Sequence, residues 1–516
     1  MPQKPVYKSD AVIVGAGAAG LCAALALAAA QKRVTVLTQT PIGGDCASKW
    51  AQGGIAAAVA GDDSTASHAG DTIKAAAGTA SRHVVDLLTS AAPQAVRMLE
   101  RMGVAFEKEG DDYALSREAC HSARRVLKAA AGDGFGRELM RALIAAVLAE
   151  KNITIVPHAV AQKLLKRGDA VTGVETQDAV YVAHAVLLAT GGIGGLYAVT
   201  TNPAGAVGRG LALAARAGAQ LSDLEFVQFH PTALDIGEDP APLATEALRG
   251  EGAYLVNSRG QRFVDELLPR DAVSRAIFAE MKRGQKVYLD CRHIDVARFP
   301  ALNAAAARGG YDAARDLIPV TPAVHYHMGG IATDTHGRSS LSGLWAAGEV
   351  AATGLHGANR LASNSLMEAV IMGGRAAEDM AQRIPDMPPR LLSQSEAGMA
   401  AHDMVDIRHE MRQMMSADVG VLRNEKDLAR AARDFAAIET AAQAIDAATA
   451  DVALVSRMIA TAALLRTESR GAHARSDYPG EQTAWQRRSF YTLLQLEAAL
   501  TPEKETEPEK ETEKVA

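Results

Sequence analysis

Cysteine and aromatic residues are both scarce in this chain. Among 516 residues there are four cysteines, and aromatic side chains make up 4%. The cysteines lie at positions 22, 46, 120 and 291, and no two of them form a C-x-x-C pair. This spacing argues against a disulfide framework, a structural zinc site or an intrinsic iron–sulfur cluster, so we expect no metal site and a reducing cytoplasm.

Strong net charge and long apolar runs are lacking as well. The net charge of −6 gives no reason to expect nucleic acid or an anionic membrane surface as a partner. Residues 11–30 form one long uncharged run, but three glycines in its first half argue against a membrane span or a signal peptide. No other apolar run is expected to approach the length of a bilayer span. We therefore expect no nucleic-acid partner and no membrane partner.

The chain does contain a glycine fingerprint close to its first residue. Residues 11–20 are AVIVGAGAAG, in which Gly15, Gly17 and Gly20 follow an apolar β-branched run and open an Ala/Leu-rich stretch. A second strand is predicted from residue 33 to residue 37. Strand, tight turn, helix and strand form the unit that places a pyrophosphate on a helix N-terminus. The pattern predicts a nucleotide-binding domain of Rossmann type.

The acidic residue that usually follows this motif by about 20 positions is missing. Thr38 and Gln39 end the predicted second strand instead. Since an acid at this point holds a ribose hydroxyl of NAD, its absence weakens a free-NAD interpretation and leaves FAD open.

The composition of the sequence and the pattern of predicted helices and strands divide the chain into several parts. Alternating β-rich and Ala-rich segments continue to about residue 200, turns and prolines are denser from 236 to 340, and glycine-rich αβ texture returns at Gly343. We predict a discontinuous nucleotide-binding domain (1–235 and 341–388), an inserted domain (236–340), a helical C-terminal domain (389–500) and a disordered charged tail (501–516). Within the first domain we predict helices at 84–102 and 136–149, and strands at 153–156, 170–176 and 185–189.

Five short motifs in the middle of the chain supply cationic and polar side chains near glycine-rich turns. They are FHPT (229–232), TEALRGEG (245–252), LPRD (268–271), HYHMGG (325–330) and GANR (357–360). Singly, each has an ordinary structural explanation, such as a buried histidine or a salt bridge at a helix start. Together they suit a small dicarboxylate, because arginine forks match carboxylate oxygens while histidine and threonine add further donors.

In this order the motifs resemble those of the flavoprotein family of succinate dehydrogenase, fumarate reductase and L-aspartate oxidase. The resemblance runs from residue 11 to about residue 479 and includes LWAAGEV (344–350), GANRLASNSL (357–366) and SRGAHARSDYP (469–479). It implies an α/β plus α fold: a discontinuous Rossmann-type FAD-binding domain, an inserted α+β capping domain and a C-terminal helical bundle. The active site is then expected between the first two.

The resemblance also implies roles for individual residues. It assigns the substrate carboxylates to His230, Thr245, His325 and Arg360. It assigns proton transfer to Arg270. Because a free guanidinium stays protonated near neutrality, Glu246 is expected to act as the partner of Arg270 in this step. The implied FAD-binding residues are Gly15, Ala16, Gly17, Ala18, Gly20, Thr38, Gln39, Ser48, Gln52, Gly53, Gly54, Val160, Thr190, Gly191, Asp223, Glu349, Asn364, Ser365 and Leu366.

Two local features discriminate within this family. Members of membrane complexes carry a histidine five residues before the glutamine of AQGG, and it bonds covalently to FAD. Here that position is Ala47, so FAD is expected to bind non-covalently. Residues 117–126, REACHSARRV, resemble the RE-x-x-HS-x-x-R block of L-aspartate oxidases. In this block Glu118 is expected to pair with the ammonium group that distinguishes aspartate from succinate, the alternative being a salt bridge with Arg117 or Arg124.

The resemblance therefore implies oxidation of L-aspartate to iminoaspartate by FAD in the cytoplasm, as the first step of de novo NAD biosynthesis. Oxygen or fumarate is expected to reoxidise the flavin, and quinolinate synthase to take the product. The alternatives are the flavoprotein subunit of a succinate dehydrogenase or fumarate reductase, and a soluble fumarate reductase. Ala47 and Glu118 count against the first of these alternatives.

Overall fold

The computed structural model of the protein describes residues 4–130, 134–389 and 405–500. The predicted disordered tail, 501–516, lies outside the described residues. The helices are α1 (Ala18–Ala29), α2 (Ala47–Trp50), α3 (Thr65–Ala75), α4 (Arg82–Arg101), α5 (Phe135–Ala149), α6 (Arg209–Ala217), α7 (Glu246–Gly250), α8 (Arg270–Lys282), α9 (Pro300–Arg308), α10 (Asn364–Arg383), α11 (Val405–Asp418), α12 (Glu425–Ala442), α13 (Ala447–Leu465) and α14 (Leu493–Leu500).

The strands are short, and most of them belong to small sheets. In chain order they are β1 (Val6–Lys8), β2 (Ala11–Val14), β3 (Val34–Leu37), β4 (Ile55–Ala56), β5 (Lys108–Glu109), β6 (Asp112–Tyr113), β7 (Leu115–Ser116), β8 (Val126–Leu127), β9 (Ile153–Val156), β10 (Ala161–Arg167), β11 (Ala170–Thr176), β12 (Val180–Val182), β13 (Ala185–Leu188), β14 (Leu221–Ser222), β15 (Val227–Leu234), β16 (Tyr254–Asn257), β17 (Val287–Asp290), β18 (Ile318–His327), β19 (Gly330–Ala332), β20 (Leu344–Ala346), β21 (Ala351–Ala352) and β22 (Phe490–Tyr491).

A parallel sheet of five strands forms the first layer, in the order β20-β13-β2-β3-β9. All four residues of β2 are buried, as expected for a central parallel strand whose two faces are covered. The predicted strands β2, β3, β9 and β13 and the helix after the glycine turn are confirmed. The edge strand β20 comes from beyond the inserted segment, so the Rossmann-type sheet is discontinuous in sequence.

The inserted segment folds as an antiparallel sheet, β15-β18-β17-β16, with the helices α7, α8 and α9. Its own apolar core includes Val273 of α8, Leu289 of β17 and Leu302 of α9. The first strand of this sheet, β15, begins at residue 227, ahead of the boundary predicted at 236. The inserted part is therefore α+β, while the limits of the individual domains remain predictions.

The C-terminal part begins as a helical bundle, in which α12 packs along α13. Residues 466–492 are not continuous helix, although the sequence pattern predicted an almost purely helical region. Arg475 ends α13, since its Nη1 donates to the carbonyl oxygens of Ala463 and Leu464, each at 3.0 Å. The chain then returns to the first domain, where β22 pairs with β14. Side-chain capping by a buried arginine leaves no trace in apolar periodicity, which explains the error.

Helix α13 is long and apolar enough to cross a membrane by length and composition. The sequence prediction that no second apolar run has this length was therefore wrong. In the structure 78% of the apolar window of α13 is buried inside the protein. Its residues belong to the same core cluster as β13 and α6, as expected for a core helix.

Candidate active site

A cleft of about 920 Å³ runs between the parallel sheet and the inserted domain. It begins at the carboxyl ends of the parallel strands, where open α/β sheets bind their ligands. All seven predicted catalytic and substrate-binding residues line it, namely Glu118, His230, Thr245, Glu246, Arg270, His325 and Arg360. Sixteen of the predicted FAD-binding residues line the same cleft, all except Gly20, Asp223 and Asn364.

The glycine turn after β2 closes the first end of the cleft. Gly15 has φ +112°, and a Cβ there would lie 2.2 Å from the carbonyl oxygen of Ala189. Gly17 precedes α1 and has no side chain to cap it. The backbone N–H of Ala18 donates to Ser48 Oγ at 3.1 Å, and the other N–H groups of this helix N-terminus suit an anion. A Cβ on Gly20 would lie 2.0 Å from the carbonyl oxygen of Gly15. Gly20 therefore serves close packing of helix on turn rather than contact with the cleft.

Asp223 is not among the residues that line the cleft, and its role in FAD binding stays a prediction. Its Oδ2 accepts a hydrogen bond from Arg488 Nε at 2.6 Å, and its Oδ1 accepts one from the backbone N–H of Ser489 at 3.0 Å. Both oxygens are thus used to hold the C-terminal segment on the first domain.

Asn364 also lies behind the wall of the cleft. Its Oδ1 is 2.8 Å from His68 Nε2, and its Nδ2 donates to Thr72 Oγ1 at 3.0 Å. The side chain is fully buried and joins the first turn of α10 to α3. Its neighbours Ser365 and Leu366 line the cleft, so the GANRLASNSL motif contacts it through other residues.

The middle of the cleft contains polar atoms that the protein leaves without partners. Gln52 Oε1 and Thr190 Oγ1 are buried and form no hydrogen bond in the described part of the chain. Glu349 accepts from the backbone N–H of His327 at 3.0 Å, and burial raises its pKa to about 7. Together with the glycine turn, these groups fit a large ligand rich in donors and acceptors, such as FAD. Ala47, the first residue of α2, occupies the position at which members of membrane complexes carry the histidine that bonds covalently to FAD.

Two histidines from neighbouring strands face each other at the far end of the cleft. The rings of His230 and His325 meet edge to face, with centroids 5.2 Å apart. Burial and the nearby charge of Arg270 hold both pKa values well below the ordinary value, so both rings are neutral. The backbone N–H of Thr232 donates to His230 Nδ1 at 3.2 Å, which places the proton of this neutral ring on Nε2. His230 is therefore a neutral hydrogen-bond donor for a ligand oxygen.

Glu246 and Arg270 form a buried pair beside these histidines. Arg270 Nε donates to Glu246 Oε2 at 2.5 Å, and Arg270 Nη1 donates to Gln228 Oε1 at 3.2 Å. The other carboxylate oxygen of Glu246 lies 3.5 Å from Arg249 Nη2. Burial raises the pKa of Glu246, but Arg270 and Arg249 lower it by more, so it lies below its ordinary value.

Arg249 was missed by the sequence analysis, although it stands in the quoted motif TEALRGEG. It lies three residues after Glu246, which places the two on one face of α7. Thr245 precedes this helix and its hydroxyl makes no capping bond, so the hydroxyl is available to a ligand.

Arg360 reaches the same end of the cleft from the chain before α10. Its Nη1 donates to Ser365 Oγ at 3.1 Å, and its guanidinium lies 4.7 Å from the ring centre of Tyr326. Its Nε is buried without a hydrogen-bond partner in the described residues. Burial and the charge of Arg270 lower its pKa to about 10, so it remains a cation at neutral pH.

A buried network holds Tyr326 in place under Arg360, and the sequence analysis missed it. The Tyr326 hydroxyl donates to Glu368 Oε2 at 3.2 Å, and His356 Nε2 lies 2.9 Å from the same oxygen. Thr353 Oγ1 donates to the other oxygen of Glu368. Glu368 comes from α10 and lies outside every quoted motif, so only the folded chain brings it to this place.

Glu118 lies within the cleft, and no salt bridge with Arg117 or Arg124 forms in the described residues. Its Oε2 accepts from Ser363 Oγ at 2.7 Å, while Arg117 Nε donates to the carbonyl oxygen of His121. A Cβ on Gly53 would lie 2.6 Å from Glu118 Oε1, so the AQGG turn leaves room for this carboxylate. Glu118 and Arg360 both line the cleft, and the negative charge of Glu118 acts on the guanidinium of Arg360.

Comparisons with known proteins agree with this arrangement. The family model of the FAD binding domain matches residues 10–366, and the model of the fumarate reductase flavoprotein C-terminus matches residues 408–515. L-aspartate oxidase of Caulobacter vibrioides is 47% identical and covers 96% of this chain and 98% of its own length. L-aspartate oxidase of Agrobacterium fabrum is 45% identical, with 92% of each chain covered.

Solved structures show the same fold. A variant of E. coli quinol fumarate reductase FrdA superposes with a TM-score of 0.86 and 28% identity, over 94% of each chain. Mycobacterium smegmatis Sdh1 gives a TM-score of 0.81 and 31% identity, over 93% of this chain and 91% of that one. The chain therefore belongs to the L-aspartate oxidase family, within the FAD-binding flavoproteins that also include succinate dehydrogenase and fumarate reductase.

Proposed function

We propose that the protein is an FAD-dependent oxidase that converts L-aspartate to iminoaspartate. The observation that supports this most directly is that Glu118 lines one cleft with Arg360, His230, His325 and Thr245, which are suited to carboxylates. Aspartate carries two carboxylates and one ammonium group, and this set matches all three. The L-aspartate oxidases among the relatives support the same activity.

Four of the five substrate-binding residues, all except Glu118, hold the two carboxylates of the substrate. Arg360 offers a fork of donors with an unused Nε, while His230, His325 and Thr245 offer neutral donors. The carboxylates at the two ends of the four-carbon substrate are thereby fixed, which orients the two carbons between them. Glu118 is placed to accept the ammonium group.

When bound, FAD would supply the two-electron oxidation of the substrate carbon that bears nitrogen, by hydride transfer. The residues that hold FAD are the glycine turn, the groups around Gln52 and Thr190, and Glu349, with no imidazole at position 47 for a covalent bond. In aspartate oxidation the nitrogen loses a proton as the C=N bond forms, and Glu118 lies on the path of that proton. In fumarate reduction Arg270 donates a proton to one carbon, and Glu246 stabilises the guanidinium from which it comes.

The wider setting follows from this reaction. Oxygen or fumarate reoxidises the flavin, the reaction begins de novo NAD biosynthesis in the cytoplasm, and iminoaspartate passes to quinolinate synthase. The relatives named L-aspartate oxidase support the oxidation of aspartate, from which the role in NAD biosynthesis follows. The acceptor, the cytoplasm and quinolinate synthase are parts of the proposal. Fumarate reduction by the same cleft is the second candidate function, and it is favoured by the likeness to FrdA of quinol fumarate reductase.

Anaerobic mixing of the yellow protein with L-aspartate and, separately, with succinate tests the proposed function. We expect rapid bleaching of the flavin absorbance by aspartate and little or none by succinate, because only aspartate carries a group for Glu118. Bleaching by succinate alone would contradict the proposal and would assign the protein to the dehydrogenases.

Replacement of Glu118 by glutamine is expected to separate the two substrates. Glutamine keeps the size of the side chain but removes the charge, so kcat/KM for aspartate should fall by about 10–100-fold, as for a lost charged hydrogen bond. Fumarate has no ammonium group, so its reduction should change by less than about threefold. Steady-state kinetics with both substrates measure this.

The matched control is Glu109→Gln, which removes the same charge from an exposed hairpin. It should leave both activities unchanged. Equal losses on aspartate and fumarate in Glu118→Gln would contradict the pairing of Glu118 with the ammonium group.

A further inference from the structure

Arg209 is an arginine of the cleft for which the described residues supply no ion-pair partner. It is the first residue of α6 and lines the cleft. Its Nε is buried without a hydrogen bond, and the guanidinium forms no ion pair within the described residues. Burial lowers its pKa, the direction expected when a cation is removed from water without a close anion.

Two carboxylates whose charges act on Arg209 already bind other arginines. Asp451 accepts from Arg216 Nε at 3.1 Å, and Asp446 accepts from Arg408 Nη2 at 2.6 Å. Thr38 and Gln39, at the end of β3, bring no carboxylate to this side of the cleft. Arg209 as a whole is half-buried, with its Nε out of contact with water. Because a cation that loses water without a paired anion is destabilised, this position in the cleft is suited to an anionic ligand.

The surroundings of Arg209 identify the part of the cleft that it faces. A Cβ on the next residue, Gly210, would lie 2.1 Å from Thr190 Oγ1, which places the start of α6 at the end of β13. In the loop before α6, a Cβ on Gly205 would have Gln39 Oε1 at 3.9 Å as its nearest neighbour. Arg209 thus stands between the ends of β13 and β3, near the side where a Rossmann-type site holds the diphosphate and adenosine of its dinucleotide.

We propose that Arg209 binds the diphosphate of FAD, at a position that the motifs of the sequence did not indicate. A guanidinium matches phosphate oxygens with its fork of donors, and the positive end of the α6 dipole adds to the attraction. The inference rests on FAD as the cofactor of the proposed function, and it is independent of the substrate that FAD oxidises.

Titration of the FAD-free protein with FAD, ADP and adenosine tests this inference. In Arg209→Gln the Kd values for FAD and ADP should both rise by about 10–100-fold, the loss expected for a charged hydrogen bond. The Kd for adenosine, which carries no phosphate, should stay the same. Arg209→Lys keeps the charge but loses the fork, so it should fall between the wild-type protein and Arg209→Gln.

The matched control is Arg82→Gln, which removes the same charge from the first residue of another helix, α4, where the exposed guanidinium pairs with Asp86. It should bind all three ligands like the wild-type protein. Unchanged binding of adenosine also shows that Arg209→Gln is folded. Unchanged Kd values for FAD and ADP would overturn the inference, and so would an equal loss for adenosine. Failure of the wild-type protein to bind FAD would instead overturn the proposed function.

Discussion

Replacement of Arg270 by lysine is expected to lower the rate of fumarate reduction by about 10²–10⁴-fold, the range for loss of a general acid. Lysine keeps the positive charge but cannot reproduce both contacts of the guanidinium, 2.5 Å to Glu246 and 3.2 Å to Gln228. A shorter, more flexible ammonium group would stand away from the carbon that must receive the proton. Oxidation of a reduced dye by fumarate measures the loss, and the flavin absorbance shows whether FAD remains bound.

Aspartate oxidation serves as the internal control for Arg270→Lys. Conversion of aspartate to iminoaspartate moves no proton at a second carbon, so this activity should fall by much less than fumarate reduction. The matched variant is Arg283→Lys, an exposed arginine just after the last residue of α8 that pairs with Glu280. Near-normal fumarate turnover in Arg270→Lys would remove Arg270 from its role as proton donor. Equal loss of both activities would assign it to substrate binding instead.

The layers of the fold could be predicted because each has a local pattern. The glycine turn, the strands β2, β3, β9 and β13 and the helix α1 all follow from residues close together in sequence. Residues 466–492 could not be predicted, because their course depends on buried contacts such as Arg466 Nε with Glu225 Oε1 at 2.6 Å. That ion pair joins residues 241 positions apart, and no periodicity within the segment encodes it.

The residues of the candidate site could likewise be predicted only where they stand in local sequence motifs. Arg270, Glu246 and the two histidines stand in recognisable motifs, and the fold brings all of them to one end of one cleft. Asp223 resembled a cofactor residue by sequence, yet its carboxylate binds Arg488. Conversely, Arg209 stands in an inconspicuous stretch, and only its position without a partner beside the cleft distinguishes it.

Replacement of Arg360 by glutamine should lower kcat/KM for aspartate and for fumarate alike, by about 10²–10³-fold. Both substrates carry the carboxylates, and Arg360 is a buried cation with a free Nε at this end of the cleft. Most of the loss should be in KM, because the guanidinium holds the carboxylate before and during the reaction. Steady-state kinetics with each substrate measure this, and flavin absorbance checks that FAD is retained.

The controls for Arg360→Gln separate the charge from the architecture around it. Arg383→Gln removes the same charge from the exposed last turn of α10 and should leave both activities intact. Tyr326→Phe keeps the ring that lies 4.7 Å under the guanidinium but loses the hydrogen bond to Glu368, so its KM should rise by a smaller factor than that of Arg360→Gln. Because the ring still supports the guanidinium, kcat of Tyr326→Phe should stay close to that of the wild-type protein. An unchanged KM for both substrates in Arg360→Gln would show that the carboxylates bind elsewhere. Arg360 would then have only a structural role in the wall of the cleft.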